Sequence, residues 1–263
     1  MTVCLTGDVH HMSLETREQP YMSRSEAAAA VEYAEIAAEF DVPVTLFLTG
    51  KVVREEPELV DRLIGMETVE LGGHNYYAFE TLAHKAFRGL LGSWNGPRRF
   101  QAWEIDRTIA AFNERHVDIS AWRDHAYRHD NNTVPLLAER GFTHFSDVVG
   151  PGEQVRCESG LTIVPVNTPP DHEHVYHGFR TPKFVAEDEF SGPFGDESFT
   201  IEEWYDWLLK EIEVCHRKGQ PATILAHPGC MDLSDRLNIF RKLCSILSEE
   251  YETVPISEVD SSD

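Results

Sequence analysis

Val3-Cys4-Leu5-Thr6-Gly7-Asp8-Val9-His10 decides the reading of this chain. A short apolar, β-branched run ends in a carboxylate and an imidazole, the pattern of a buried strand that delivers polar groups at its carboxyl end. In an extended backbone positions 8 and 10 project to the same face, so both side chains can serve one site.

Working outward, the same unit recurs. The Ala-rich segment 25–40 predicts a helix, and 42–48 a second buried strand ended by Thr49-Gly50. A helix over 55–64, with Pro57 near its start, precedes a strand over 68–71 that runs into Gly72-Gly73-His74. An amphipathic helix over 102–116 leads to a strand over 119–122 that delivers Arg123, then to a helix over 132–140 and a strand over 143–146. A hairpin-like pair (154–157 with 161–166) opens a Pro-, His- and Gly-rich loop reaching Gly195, and a long irregular loop in a compact domain is usually functional or disordered. A helix over 200–216, a strand over 222–226, a helix over 233–248 and a short strand over 253–256 complete the chain.

About seven strands, most followed by a helix, predict an α/β fold closed as an irregular (β/α) barrel, one domain spanning residues 1–263. The alternative, an open doubly wound sheet, lacks the Gly-x-Gly-x-x-Gly turn expected after its first strand.

Acidic residues outnumber basic ones 45 to 23, a formal net charge of −22. Such a field repels nucleic acid and anionic membranes, so neither is expected as a partner. The acids are spread along the chain, which favours a solubility device for high salt: a halophilic protein, expected to lose structure in dilute buffer as self-repulsion goes unscreened. Circular dichroism across a salt series checks this. Five cysteines without a Cys-x-x-Cys pair read as reduced, mostly buried thiols. The first residues enter a strand without a basic leader, and no apolar stretch approaches the length of a membrane span, so a cytoplasmic location is expected.

In a parallel α/β barrel the chemistry sits just past the strand ends. Those positions read Asp8, His10, Thr49, His74, Arg123, Asp147 and His227, a polar ring holding an acid, a base and metal-ligating groups. Each alone is more often structural; the joint pattern carries the weight.

This ring resembles the polysaccharide deacetylase family, the metal-dependent carbohydrate deacetylases with an irregular barrel. The resemblance spans nearly the whole chain. The family's Thr-Phe-Asp-Asp motif is similar to Thr6-Gly7-Asp8-Val9-His10, which implies Asp8 as catalytic base and His10 in place of a metal-binding Asp. Its His-x-x-x-His motif reads His74-Asn75-Tyr76-Tyr77-Ala78, keeping the first His as a ligand and replacing the second by Ala. Catalytic zinc sites generally use three protein ligands, so a third must come from elsewhere: His11, His125, His172 or His174. Arg123 corresponds to the Arg that orients the base, and the Pro-Tyr expected after it is replaced by Asp124-His125-Ala126-Tyr127. Asp147 resembles the carboxylate that supports the catalytic His. Leu225-Ala226-His227 resembles the Leu-x-His motif, implying His227 as general acid and Leu225 as a wall of the acyl pocket, with Tyr127 and Trp122 as further substrate contacts.

The resemblance implies a hydrolase that removes an acyl group, acetyl by expectation, from an amide nitrogen of a carbohydrate or related small polar substrate, assisted by a divalent metal, zinc by expectation. Two alternatives stay open: a metal-independent hydrolase of a cyclic amide or ureide, and a catalytically silent carbohydrate-binding homologue. Asp8, Arg123 and His227 together speak against the last, since a pure binder needs no acid, base and orienter in one ring.

Overall fold

The computed structural model describes residues 1–261. Nine short strands form one sheet: β1 (Thr2–Val9), β2 (Val44–Leu48), β3 (Val69–Gly73), β4 (Ala121–Trp122), β5 (His144–Phe145), β6 (Arg156–Glu158), β7 (Leu161–Ile163), β8 (Ala222–Leu225) and β9 (Glu252–Thr253). Their order is β6-β7-β5-β4-β3-β2-β1-β8, with β9 also paired to β1. All pairings are parallel except the β6–β7 hairpin. β1, one strand in from the β8 edge, pairs with β2 in register from Leu5 with Val44 to Val9 with Leu48. Every residue of β2 is buried, as a parallel strand covered on both faces requires.

The sheet curls into a mostly parallel half-barrel, the irregular α/β barrel expected from the sequence, without closing by a strand ladder. The seam beside β8 is stitched by side chains. Asn167 accepts the Thr223 N–H and donates to the Pro221 carbonyl, both at 2.9 Å, and Thr168 Oγ1 donates to the Thr223 carbonyl at 2.9 Å. The Thr223 N–H and C=O, which a further strand would pair, are thereby satisfied.

Helices cover the outer face. Ser25 caps the helix Glu26–Glu39 by accepting the Ala28 N–H, and its small residues let it lie close on the sheet, with Tyr33 stacked on Phe240 of the helix Asn238–Glu250. The helix expected over 55–64 starts earlier and splits into Gly50–Glu55 and Pro57–Ile64, because Pro57 can open a helix but not continue one. That expected over 233–248 breaks at Arg236 and Leu237, both left-handed, into Pro228–Asp235 and Asn238–Glu250. A helix at Leu82–Leu91, capped by Thr81, was not anticipated; its two-faced pattern is blurred by exposed Leu82, Leu90 and Leu91.

Gly73 has a specific reason to be glycine. A Cβ there would sit 2.3 Å from the Trp122 ring, so its absence lets β4 close on β3 with Trp122 wholly buried. Four of the five cysteines are buried and all are free thiols. No helix among the described residues is long and apolar enough to cross a membrane.

Candidate active site

Asp8 leaves the end of β1 and is 4% exposed, a carboxylate that must be paired to stay charged. Its partner is Arg123, placed one residue beyond β4, whose Nη1 lies 2.9 Å from Asp8 Oδ1. Arg123 is itself locked: Nε donates to the Ser146 carbonyl at 2.6 Å, Nη2 to Ser146 Oγ at 2.8 Å and Nη1 to Thr6 Oγ1 at 3.1 Å, with the guanidinium over the Phe47 ring. Burial pushes the Asp8 pKa up, but His74, Arg123, His227 and His10 outweigh it and hold the carboxyl well below its usual range. Asp8 is ionised.

Beside it three imidazoles converge. His10 Nε2 lies 3.2 Å from His74 Nε2 and 3.0 Å from His125 Nδ1, and the last two are 3.4 Å apart. Outer partners set the tautomers of two of them. The Glu26 carboxylate, which can only accept, takes His10 Nδ1–H at 2.9 Å, and the Arg123 carbonyl takes His74 Nδ1–H at 3.0 Å. Both rings therefore turn Nε2 inward. Burial, with His10 and Arg123 adding to it, brings His74 down to about 3; burial, His10 and His74 hold His125 well below its usual value. Two neutral rings and one paired with a carboxylate thus point nitrogens at a common centre, a donor set that fits a divalent transition metal, with Glu26 orienting its ligand from behind.

His125 is the third nitrogen, one of the four candidates weighed from sequence. Asn75 places it: Asn75 Oδ1 accepts the His125 N–H at 2.7 Å while Nδ2 donates to Asp124 Oδ1 at 2.9 Å. Left-handed backbone at Asn75, Ala78, Ala126 and Tyr127 bends both loops inward. His11 instead meets Thr49 Oγ1 at 3.1 Å, and His174 bonds the Glu197 carbonyl among Phe190, Phe194 and Trp207. His172 lines the cavity, with its ring 4.9 Å from that of His227.

His227 begins the helix Pro228–Asp235, and its Nε2 lies 3.6 Å from Asp8 Oδ2. Behind it stands Asp171, whose Oδ1 meets His227 Nδ1 at 2.6 Å and whose Oδ2 accepts the His227 N–H at 2.7 Å. Burial opposes charge on His227, but Asp171 and then Asp8 outweigh it and raise its pKa to about 9. The arrangement sets an ionised carboxylate and a protonated imidazole side by side in the lining of one cavity.

Three expectations are corrected. Asp147 does not support His227; its carboxylate takes the Asp124 N–H at 2.9 Å and His129 Nδ1 at 2.6 Å, so it braces the loop carrying His125. Leu225 is wholly buried in β8 and does not line the cavity. Trp122 is likewise sealed in, its Nε1–H donated to Asp124 Oδ1 at 2.8 Å. Tyr127 does line the cavity, a space of about 630 Å³ that also opens onto Asp8, the three converging histidines and His227. That volume lies within the range of small-molecule sites, roughly 300–1,000 Å³. Asp171 and Glu26 went unassigned from sequence; Asp171 follows Pro169-Pro170 in the irregular loop, the one hint available, and Glu26 offers none beyond being an acid in a helix's first turn.

No family model and no curated protein matches the sequence. Solved structures do. A Mycobacterium smegmatis protein assigned to the polysaccharide deacetylases superposes with a TM-score of 0.72 at 19% identity, over 98% of this chain and 87% of that one. A family 4 carbohydrate esterase from Streptomyces lividans, in complex with acetate, matches at 0.53 and 12% identity over 100% and 98% of the two chains. The allantoinase PuuE matches at 0.62 and 11% identity over 96% and 85%. The chain has the polysaccharide deacetylase fold, a curled, mostly parallel half-barrel with its polar ring at the strand ends.

Proposed function

We propose that this chain is a hydrolase that removes an acyl group from an amide nitrogen of a carbohydrate or related small polar molecule, with a divalent ion, zinc by its donor set, held by His10, His74 and His125. The observation that carries the reading is the meeting at Asp8 of Arg123 on one side and the His227–Asp171 pair on the other, beside three inward-facing imidazole nitrogens. A bound divalent ion would polarise the acyl carbonyl and lower the pKa of a water. Asp8 takes the proton of the attacking water, and Arg123 keeps its carboxylate ionised and aimed. His227 Nε2–H protonates the leaving amine, while Asp171 holds the other ring nitrogen and stabilises the charged form. The structural likeness to deacetylases and to a carbohydrate esterase supports the substrate class.

Elemental analysis tests the metal. Protein purified without chelator is expected to hold close to one equivalent of a divalent transition metal, and His125→Ala to bind it at least tenfold more weakly, since two imidazoles alone hold such ions poorly. A metal content unchanged by that substitution removes His125 from the site.

A second reading, metal-free hydrolysis of a cyclic amide or ureide, draws on the likeness to allantoinase and on His10. Burial works against charge on that ring, but Glu26 outweighs it and raises the pKa, so one proton shared among the three nitrogens could stand where the ion would. Negligible metal in active protein would favour this reading.

The acid has a pH signature. Because His227 is raised to about 9, its donor form persists through neutral pH and is lost above that value, so kcat/KM is expected to fall on an alkaline limb near pH 9. Asp171→Asn removes the main raising charge, and the limb should move toward neutrality. A limb that stays in place in this variant assigns it to some other group.

A further inference from the structure

Around His227 a second set of donor atoms comes together. An Asp171 carboxylate oxygen, a ring nitrogen of His227 and Cys230 Sγ all lie within 4.8 Å of one another; of the two ring nitrogens, Nδ1 is the one that faces Asp171, at 2.6 Å. Cys230 stands in the first turn of the helix Pro228–Asp235, is 4% exposed, and has no part in the proposed reaction. Its Sγ is 3.4 Å from His177 Nε2. His177 Nδ1 donates to the Val175 carbonyl at 2.8 Å, so Nε2 is the ring nitrogen turned to the thiol, with Glu18 Oε1 3.9 Å from it.

A thiol, a carboxylate and an imidazole, with a second imidazole beside the thiol, are the donor types preferred by zinc and cadmium. Cys230 and His227 both open onto the large cavity, which provides an entrance. Among the described residues the other buried thiols lack such company: Cys4 and Cys244 belong to the core clusters, and Cys215 faces a backbone carbonyl.

We infer that Cys230, His227 and Asp171 form a second, inhibitory site for a soft divalent cation. Binding forms bonds from the ion to sulfur, nitrogen and oxygen, and releases the thiol proton and the Nδ1 proton of the His227 imidazolium, without oxidation or reduction. His227 is then a coordinated neutral ring with a proton only on Nε2, far too weakly acidic to protonate an amine. The inhibitory consequence rests on the reading of His227 as the acid; the binding itself does not.

Cadmium is the probe, in a Cys157→Ser background that removes the one exposed thiol. One equivalent is expected to raise the ultraviolet thiolate-to-cadmium charge-transfer band, and the band should be missing in both Cys230→Ser and Cys230→Ala. The three-imidazole site has no thiolate and cannot produce it. No band at tenfold excess cadmium, or a band that survives both Cys230 variants, overturns the site and leaves Cys230 as a thiol hydrogen-bonded to His177. Zinc added beyond the first equivalent should lower turnover at least tenfold, and in Cys230→Ala the ratio of turnover with and without that zinc should stay near one. A cadmium band without loss of turnover overturns the inhibitory role. Absence of turnover on every N-acyl substrate would defeat the proposed function, while the cadmium band would still decide the site.

Discussion

Asp8→Asn is expected to lower kcat by about 10²–10⁴-fold, the contribution typical of a positioned general base, while metal content stays unchanged. The amide has the shape of the carboxylate and keeps an oxygen for Arg123 Nη1, now 2.9 Å from Asp8 Oδ1, but at neutral pH it has no lone pair basic enough to take a proton from water. Neither His10 nor His74 depends on Asp8 for its tautomer, set by Glu26 and the Arg123 carbonyl, and Asn75 anchors the backbone of His125. Turnover on an N-acetylated amino sugar that the unmodified protein hydrolyses, measured with metal analysis of the same sample, separates the two roles. A loss under about tenfold would take the base away from Asp8; full loss of metal would make it a ligand.

Arg123→Met is expected to destabilise the fold by about 3–5 kcal/mol, the range for breaking a buried ion pair from one side. For a chain of this size that corresponds to roughly 6–20 °C in the melting midpoint. Arg123 is wholly buried, and methionine would fill part of its volume while abandoning Asp8, Thr6 and both Ser146 acceptors. Asp8 would lose its nearest positive charge and its pKa would rise. Adding Asp8→Asn to Arg123→Met should recover part of the loss, because the carboxylate left unpaired is the main penalty. Thermal melts of the two single variants and the double variant measure this coupling. Strict additivity would mean that Arg123 acts through packing rather than through its pairing with Asp8.

Asp8, His74 and His227 were legible because each is the first acid or imidazole after a short, mainly apolar stretch, and strand ends are a local property of the chain. His10 followed from the two-residue period of an extended backbone. The same logic misplaced Asp147, which also ends a strand: β5 is only His144–Phe145, and beyond it the chain turns Asp147 toward His129. Leu225 and Trp122 failed for a related reason. A motif places a residue on a strand, while the face it presents to the cavity depends on what packs against it, and Gly73 lets Trp122 sink wholly into the sheet.

By itself the sequence determined the alternation of strand and helix, the polar residues at the strand ends and the strongly acidic surface, all of which are read within a few residues of the chain or from its composition. Only the tertiary structure decided which of those groups meet. Asp171 reaches His227 across 56 positions, and Glu26 reaches His10 from the first turn of a helix whose place is set by packing on the sheet. His125 becomes the third inward nitrogen because left-handed turns in two loops, bridged by Asn75, bring it against His10 and His74. Such meetings depend on the curl of the sheet and on loops held by distant partners, and no local pattern of residues encodes a contact whose energy appears only when the chain has closed.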